Sequence, residues 1–271
     1  MRYIDKRQLP RLADLRAINT ANTEISKLPE NERKAFLDSK ENQKLWSNLK
    51  AKLWKLGNMK CWYSEAKLKV AEGHVEHFRP KNTPHGLNGE KHCGYWWRAF
   101  DWDNYRLAHP DCNLRRKDYL TGNMLGKGAY FPLKDGDIRA TCKAEESGEH
   151  PVLLDPTNPS DCKLISFDTN DGTPVPAFSV DEDSWRHQRA KESIDYYHLN
   201  EGTWNCDRKD LIDEVGILCD RLLEEESSPN RDIDKCDELT DELVGYIDEH
   251  KPFTAACMQV IREKGLLEVV V

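Results

Sequence analysis

Four short segments hold the residues of this chain best suited to chemistry: Cys61-Trp62-Tyr63-Ser64, His74-Val75-Glu76-His77-Phe78-Arg79-Pro80-Lys81, Asp101-Trp102-Asp103-Asn104, and His109-Pro110-Asp111-Cys112-Asn113-Leu114-Arg115-Arg116-Lys117. Carboxylate, imidazole and carboxamide groups in this order suit phosphodiester hydrolysis. That reaction needs a metal ion to neutralise charge at the scissile phosphate and a base to activate water opposite the leaving oxygen. Neighbouring residues on a strand point to opposite faces, so Glu76 and His77 can divide these roles on one phosphate only where the strand is bulged or twisted.

The elements that must position these residues follow from pattern. Residues 10 to 57 carry Leu37, Leu45, Trp46, Leu49, Leu53 and Trp54 at helical spacings, with Pro29-Glu30 marking a helix start, and read as an amphipathic scaffold. His74 to Phe78 alternates as a strand does. The stretch from Pro80 to Gly94 is polar and rich in turn residues, which predicts an exposed loop. Asn113 to Tyr119 reads as the first turns of a helix. Two short strands around Asn170-Asp171-Gly172 form a hairpin expected to pack on the core that precedes it. Beyond Ser184 four helical segments are predicted, at 184–199, 205–225, 234–249 and 252–264. The pattern divides the chain into an N-terminal helical segment (1–58), a core with its appended hairpin (59–183) and a C-terminal helical region (184–271).

Composition narrows the classes. With 271 residues, 38% of them hydrophobic and eight of them Trp, the chain can bury a core without disulfide staples. Nine scattered cysteines fit reduced thiols better than a disulfide framework. No stretch nears the roughly 20 apolar residues of a membrane span, and the first residues lack a secretory apolar segment, so a cytoplasmic protein is expected. A net charge of -8 argues against coating nucleic acid with the whole surface. Residues 60 to 134 nevertheless hold thirteen Lys/Arg against eight Asp/Glu, which leaves -13 for the remainder.

On these segments the chain resembles the HNH endonucleases, and more closely the HNH nucleases of bacterial anti-phage defence, the Septu (PtuB-like) and retron-associated group. The resemblance rests on His74 to Lys81, on Tyr95-Trp96-Trp97-Arg98-Ala99-Phe100-Asp101-Trp102-Asp103-Asn104 and on Cys112-Asn113. It extends more weakly to Leu153-Leu154-Asp155-Pro156 and Tyr197-His198-Leu199-Asn200. It implies an α+β fold, a small ββα-metal core flanked by N-terminal helices and a C-terminal helical region. Glu76 then looks like the metal-binding acid, His77 like the general base, Asn104 like the residue that ties down the loop orienting the base, and Asn113 like the second metal ligand. It also implies an SMC-like or ABC-like ATPase partner, for which the acidic C-terminal helices offer a docking surface.

An oxygen-rich pair such as Glu76 and Asn113 suits Mg²⁺ before Mn²⁺. His74 shares the face of Glu76 and is a further candidate for metal or phosphate. Each role has a plainer rival: a core histidine bonded to a carbonyl for His77, a salt bridge to Arg79 for Glu76, and a helix cap for Asn113. Arg79, Lys81, Arg115, Arg116 and Lys117 are expected to contact phosphates, and Trp96, Trp97 and Trp102 are read as core before stacking platform. A structural zinc would take Cys61, His109 and Cys112 and need Cys93 or His92 as its fourth ligand, because Ser64 stands where many HNH fingers have Cys. Packed thiols at Cys61 and Cys112 are the preferred reading. The leading functional expectation is a metal-dependent endonuclease acting on DNA within a defence complex; cleavage of RNA or tRNA, and a non-catalytic finger that binds nucleic acid or a partner, stand as alternatives.

Overall fold

The computed structural model describes residues 1–85, 92–117 and 122–270, and the fold is α+β, mostly helical with three two-stranded antiparallel sheets. The N-terminal part runs through α1 (Leu9–Leu12), α2 (Arg16–Lys27), α3 (Glu30–Asp38), α4 (Lys40–Ser47) and α5 (Lys50–Leu56). Ile18, Ala21 and Ile25 form the buried stripe of α2. Leu28 is extended because Pro29 follows it, and α3 starts immediately after that proline. The Ser39 hydroxyl accepts from the Asn42 N–H and caps α4.

The central segment folds into β1 (His74–His77), β2 (Tyr105–Ala108), α6 (Pro110–Asn113), β3 (Arg116–Lys117) and β4 (Met124–Leu125). β1 pairs with β2, and β3 with β4. All four residues of β2 are buried, and α4 and α5 pack on β1. Two strands cannot stabilise themselves alone, so this sheet depends on the helices around it.

The helix expected from Asn113 onward is not where the pattern placed it. Pro110 occupies the first turn of α6, where its missing N–H costs nothing, and His109 is the N-cap, its Nδ1 accepting from the Asp111 N–H. Asn113 therefore ends a helix rather than heading one. The chain turns extended at Leu114 and enters β3, and the rest of the expected helix, 118–119, lies outside the described residues. The loop after Pro80 is only partly exposed: Pro80 and Pro84 are buried, the Pro80 carbonyl accepts from the Tyr95 N–H, and residues 86–91 lie outside the described residues.

β5 (Ile165–Phe167) and β6 (Pro174–Pro176) form the hairpin around Asn170-Asp171-Gly172. It packs on the C-terminal helices α7 (Ser184–Tyr196), α8 (Gly202–Ser227) and α10 (Thr254–Glu263), and its Ile165 and Phe167 belong to the same apolar core as the segment before it. Gln259 of α10 fastens Phe167 by accepting from its N–H and donating to its carbonyl, both at 2.9 Å. α9 (Ile233–Ile247) and the terminal turn α11 (Leu267–Val270) complete the helical region. Asp183, Glu201 and Asp232 cap α7, α8 and α9. No helix among the described residues is long and apolar enough to cross a membrane.

One apolar core runs from the N-terminal helices through β1 and β2 to the C-terminal helices. A smaller one, of Phe78, Tyr95, Trp97, Phe131 and Ala140, lies on the other side of the segment after β1. Gly172 joins hairpin to α8: it has φ +74°, its carbonyl accepts from Arg208 Nε at 2.7 Å, and a Cβ there would collide with the Asn205 carbonyl. Gly172→Ala is expected to lower stability by about 1–3 kcal/mol, read from the urea midpoint of unfolding. An unchanged midpoint would show that the hairpin is not locked to α8 through this glycine.

Candidate active site

The arrangement follows from the pairing of β1 with β2, in which His74 faces Ala108, Val75 faces Leu107, Glu76 faces Arg106 and His77 faces Tyr105. The register is unbroken, without an inserted residue. Glu76 and His74 therefore project to one side of the strand and His77 to the other. The bulge that would bring acid and base together is absent from this strand.

On the His77 side the imidazole is fixed at three points. Its Nε2 donates to the Ala99 carbonyl at 2.9 Å, and the edges of Trp46 from α4 and Tyr105 from β2 stand 5.1 Å away. Asn104 holds the loop that supplies this carbonyl. Its Oδ1 accepts from the Arg79 N–H at 2.8 Å, and its Nδ2 donates to the carbonyls of Arg79 (2.9 Å) and Arg98 (3.1 Å). With Nε2 occupied by a carbonyl acceptor, Nδ1 carries the lone pair, and it has no hydrogen-bond partner among the described residues. Burial pushes the imidazolium down to about 3, assisted by the Lys81 and Lys127 charges against the opposing pull of the Ala99 carbonyl. The ring is neutral at pH 7. Lys81 is held nearby, its ammonium 5.5 Å from the Trp46 ring.

On the other side Glu76 is buried, with each oxygen facing a partner. Oε2 accepts from the Tyr63 hydroxyl at 2.7 Å, while Oε1 meets the Lys127 ammonium in an ion pair without a well-directed hydrogen bond. Lys127 is buried too, and also donates to the His77 carbonyl at 3.1 Å. Burial lowers the Lys127 pKa, and the Glu76 carboxylate opposes that. Arg106, cross-strand from Glu76, is bound by Asp155 through Nε at 2.7 Å and a second nitrogen at 2.6 Å. The partner of Glu76 is thus Lys127, not Arg79. His74 and Asn113 do come together, with Asn113 Nδ2 at 3.3 Å from His74 Nδ1. Burial, then the charges of Lys50 and His109, lower the His74 pKa.

Asn113, His74 and Glu76 offer donor types that suit a hard divalent ion. Their arrangement does not fit one, because a cation already stands against the only carboxylate of the set. Among the described residues no three His, Cys, Asp or Glu side chains are grouped to hold a metal.

Cys61 and Cys112 meet at 3.7 Å, both buried. Against the upward push of burial, hydrogen bonds with Cys112 and Ser64 bring the Cys61 thiol down to about 6, while burial drives Cys112 well above the usual range. The His109 N–H donates to the Cys61 sulfur at 3.2 Å, but its ring Nδ1 caps α6 and its edge packs on Trp204. Cys93 is exposed and His92 bonds the Ala140 carbonyl, so neither is brought to the thiols as a fourth ligand.

The cations expected on phosphates separate. Arg79 is turned inward, paired with Glu149 at 2.7 Å and Glu146 at 3.5 Å and flanked by the Tyr95 and Phe131 rings, which takes it out of a phosphate's reach. Arg115 is half-buried and reaches the Met124 carbonyl at 3.5 Å. Arg116 is exposed but paired with Asp111 at 2.6 Å, and Lys117 is exposed beside it. Because Asn113 ends α6, no helix N-terminus stands behind these residues to attract an anion. Trp97 is buried and donates to Glu146, Trp96 lies under Arg33, and Trp102 packs on the main core, all structural positions. Sequence reasoning missed Tyr63, Lys127 and the Arg106–Asp155 pair. The one local signal for Lys127 was its place between Gly126 and Gly128.

No family model matches the chain. Over 123 residues, 44% of its length, it is 32% identical to the Septu protein PtuB of Bacillus mycoides (strain KBAB4), and the match covers 38% of that protein. A PtuB-like Septu relationship is thereby shown for this stretch, which spans well under half of the relative.

The His77 environment generates a pH signature. An imidazole held neutral in the fold but ordinary when unfolded makes the unfolded chain bind the extra proton between about pH 6.5 and 3. Its contribution to stability is complete above pH 6.5 and is lost as pH falls through that window. His77→Gln should flatten the fall in thermal midpoint between pH 6.5 and 4 relative to the wild type. Parallel curves would show that the imidazole is not shielded.

Proposed function

We propose that this chain is an HNH-type endonuclease subunit of a Septu-type anti-phage defence complex, hydrolysing phosphodiester bonds in nucleic acid, DNA before RNA, beside an SMC-like or ABC-like ATPase. The observation that carries the reading is the mounting of His77. Its Nε2 is fixed on the Ala99 carbonyl, the loop bearing that carbonyl is clamped by Asn104, and Nδ1 presents a lone pair that no neighbour among the described residues uses. A purely structural histidine has no need of an unpartnered basic nitrogen, whereas a residue that takes a proton from water does.

The imidazole as it stands is a weak base. A phosphate anion brought beside it raises its proton affinity toward the working range, both because an opposite charge favours the protonated form and because it offsets the Lys81 charge that now lowers it. Asn104 acts through orientation and touches no reacting atom. The exposed Lys117 and the partly exposed Arg115, which follow Asn113 in the chain, are the groups that would steer a backbone toward the centre. Glu76, Asn113 and His74 carry the donor types for a divalent ion, Mg²⁺ before Mn²⁺, and in this proposal they would hold one, to supply charge neutralisation, only with Lys127 moved off the carboxylate. The acidic C-terminal helices suit the docking of the ATPase. The relationship to PtuB supports the defence setting, and the Glu76-His77-Asn104-Asn113 order supports the nuclease chemistry.

The decisive experiment incubates the purified chain, with and without a Septu-type ATPase, on matched DNA and RNA with Mg²⁺. His77→Ala is expected to lower cleavage by about 10²–10⁴-fold with the fold intact by circular dichroism. Asn104→Ala should lower it less, with no change in substrate binding. Cleavage by His77→Ala at the parental rate, in a preparation free of contaminating nuclease, rejects the reading; cleavage of RNA alone moves the substrate to RNA.

A further inference from the structure

The cation against Glu76 is itself a built feature, and its meaning rests on the reading of Glu76 as the metal-binding acid. Lys127 lies in the sequence Gly126-Lys127-Gly128, and both glycines adopt positive φ, +91° and +49°. A Cβ on Gly126 would run into the Leu114 carbonyl, so only glycine allows the turn to sit this close. The turn is docked on the end of α6 that carries Asn113: the Lys127 N–H donates to the Cys112 carbonyl at 2.9 Å and the Gly128 N–H to the Asn113 carbonyl at 2.7 Å. From there the side chain runs inward to the Glu76 carboxylate and the His77 carbonyl, with no side-chain surface exposed. Backbone and side chain thus tie together Asn113, Glu76 and His77, three residues that the nuclease reading puts to work.

The local charge is already balanced. Glu76 and Asp155 supply two negative charges, and Lys127 and Arg106 two positive ones, all within mutual influence. A divalent ion on Glu76 would add two positive charges beside a buried ammonium, a strongly repulsive arrangement where water is scarce. The Glu76 oxygen that faces Lys127 lacks a well-directed hydrogen bond, so the ammonium fills the cation position without saturating it. Lysine suits an exchangeable occupant, being a compact charge on a flexible four-carbon stem.

We propose that Lys127 is a resident cation that competes with divalent metal for Glu76, so that the centre takes up metal only when the Gly126–Gly128 turn releases the ammonium. Lys127 is in this sense a gating residue; it touches neither water nor phosphate in the reaction. The closed arrangement is a metal-excluding form, and what opens it controls the nuclease.

The test uses Mn²⁺ as the probe, with free ion measured by electron paramagnetic resonance, on the full chain as wild type, Lys127→Met, Glu76→Gln and the double variant. Lys127→Met keeps the length and removes the charge. It should bind Mn²⁺ about ten-fold or more tightly than the wild type, and Glu76→Gln should abolish the gain. Equal affinity of wild type and Lys127→Met, with binding lost in Glu76→Gln, overturns the competition while leaving the metal role of Glu76 standing. Equal affinity across all four proteins, Glu76→Gln included, overturns that metal role and the competition with it. Acylation of Lys127 in the wild type, followed by mass spectrometry, covers the case in which Lys127→Met fails to fold. Saturating Mn²⁺ should raise labelling several-fold as the side chain is displaced; unchanged labelling overturns the proposal.

Discussion

Four consecutive pairs between β1 and β2, with nothing inserted, set the layout of everything around them. The alternation of side chains along a strand sends the carboxylate of Glu76 to one side, toward Tyr63 and Lys127, and the imidazole of His77 to the other, against Trp46 and Tyr105. Slippage by one residue would exchange the two faces and put a carboxylate among aromatic edges. Both faces are occupied by groups that fit only one register, which is how so short a sheet comes to have a single geometry.

The polar interior has the same character. Glu76 is joined to Lys127 and Tyr63, with the Arg106–Asp155 pair acting on it electrostatically; a second network joins Arg79, Arg98, Glu146, Glu149 and Asp101. Burying charges costs solvation, and the attraction between partners only roughly offsets it, so such networks are poor sources of net stability. They define geometry instead. Breaking one member leaves an uncompensated buried charge, which makes the alternatives expensive. They also account for the fate of the basic segment: much of its positive charge faces buried carboxylates and is withheld from the surface.

Periodicity revealed the helices on both flanks and the strand carrying Glu76 and His77, because burial there repeats within a few residues. Asn170-Asp171-Gly172 revealed the hairpin through its local turn chemistry. What sequence could not resolve depended on contacts between distant residues. Asn113 was read as opening a helix although Pro110, three residues earlier, carried the stronger start signal. Arg79 looked like a phosphate ligand because its partners, Glu146 and Glu149, lie some seventy residues further on. Lys127 was one basic residue among thirteen in its window, and its burial is decided by two glycines and a helix end that no periodicity links to Glu76.

Trp46, which forms one wall of the His77 site, belongs to α4 in the N-terminal helices. Tyr63, which holds Glu76, stacks at 4.0 Å on Tyr197 at the end of α7, and the Tyr197 hydroxyl is itself tied to the Leu154 carbonyl. The centre is therefore braced from both flanks and is not a portable cassette. Cut out at residues 59 and 183, it would lose a wall on one side and a brace on the other, and grafts between relatives would have to carry the matching helices with them. Coupling of this kind also means that a protein docked on the outer helices would be mechanically connected to Glu76 and His77 alike, through two aromatic rings.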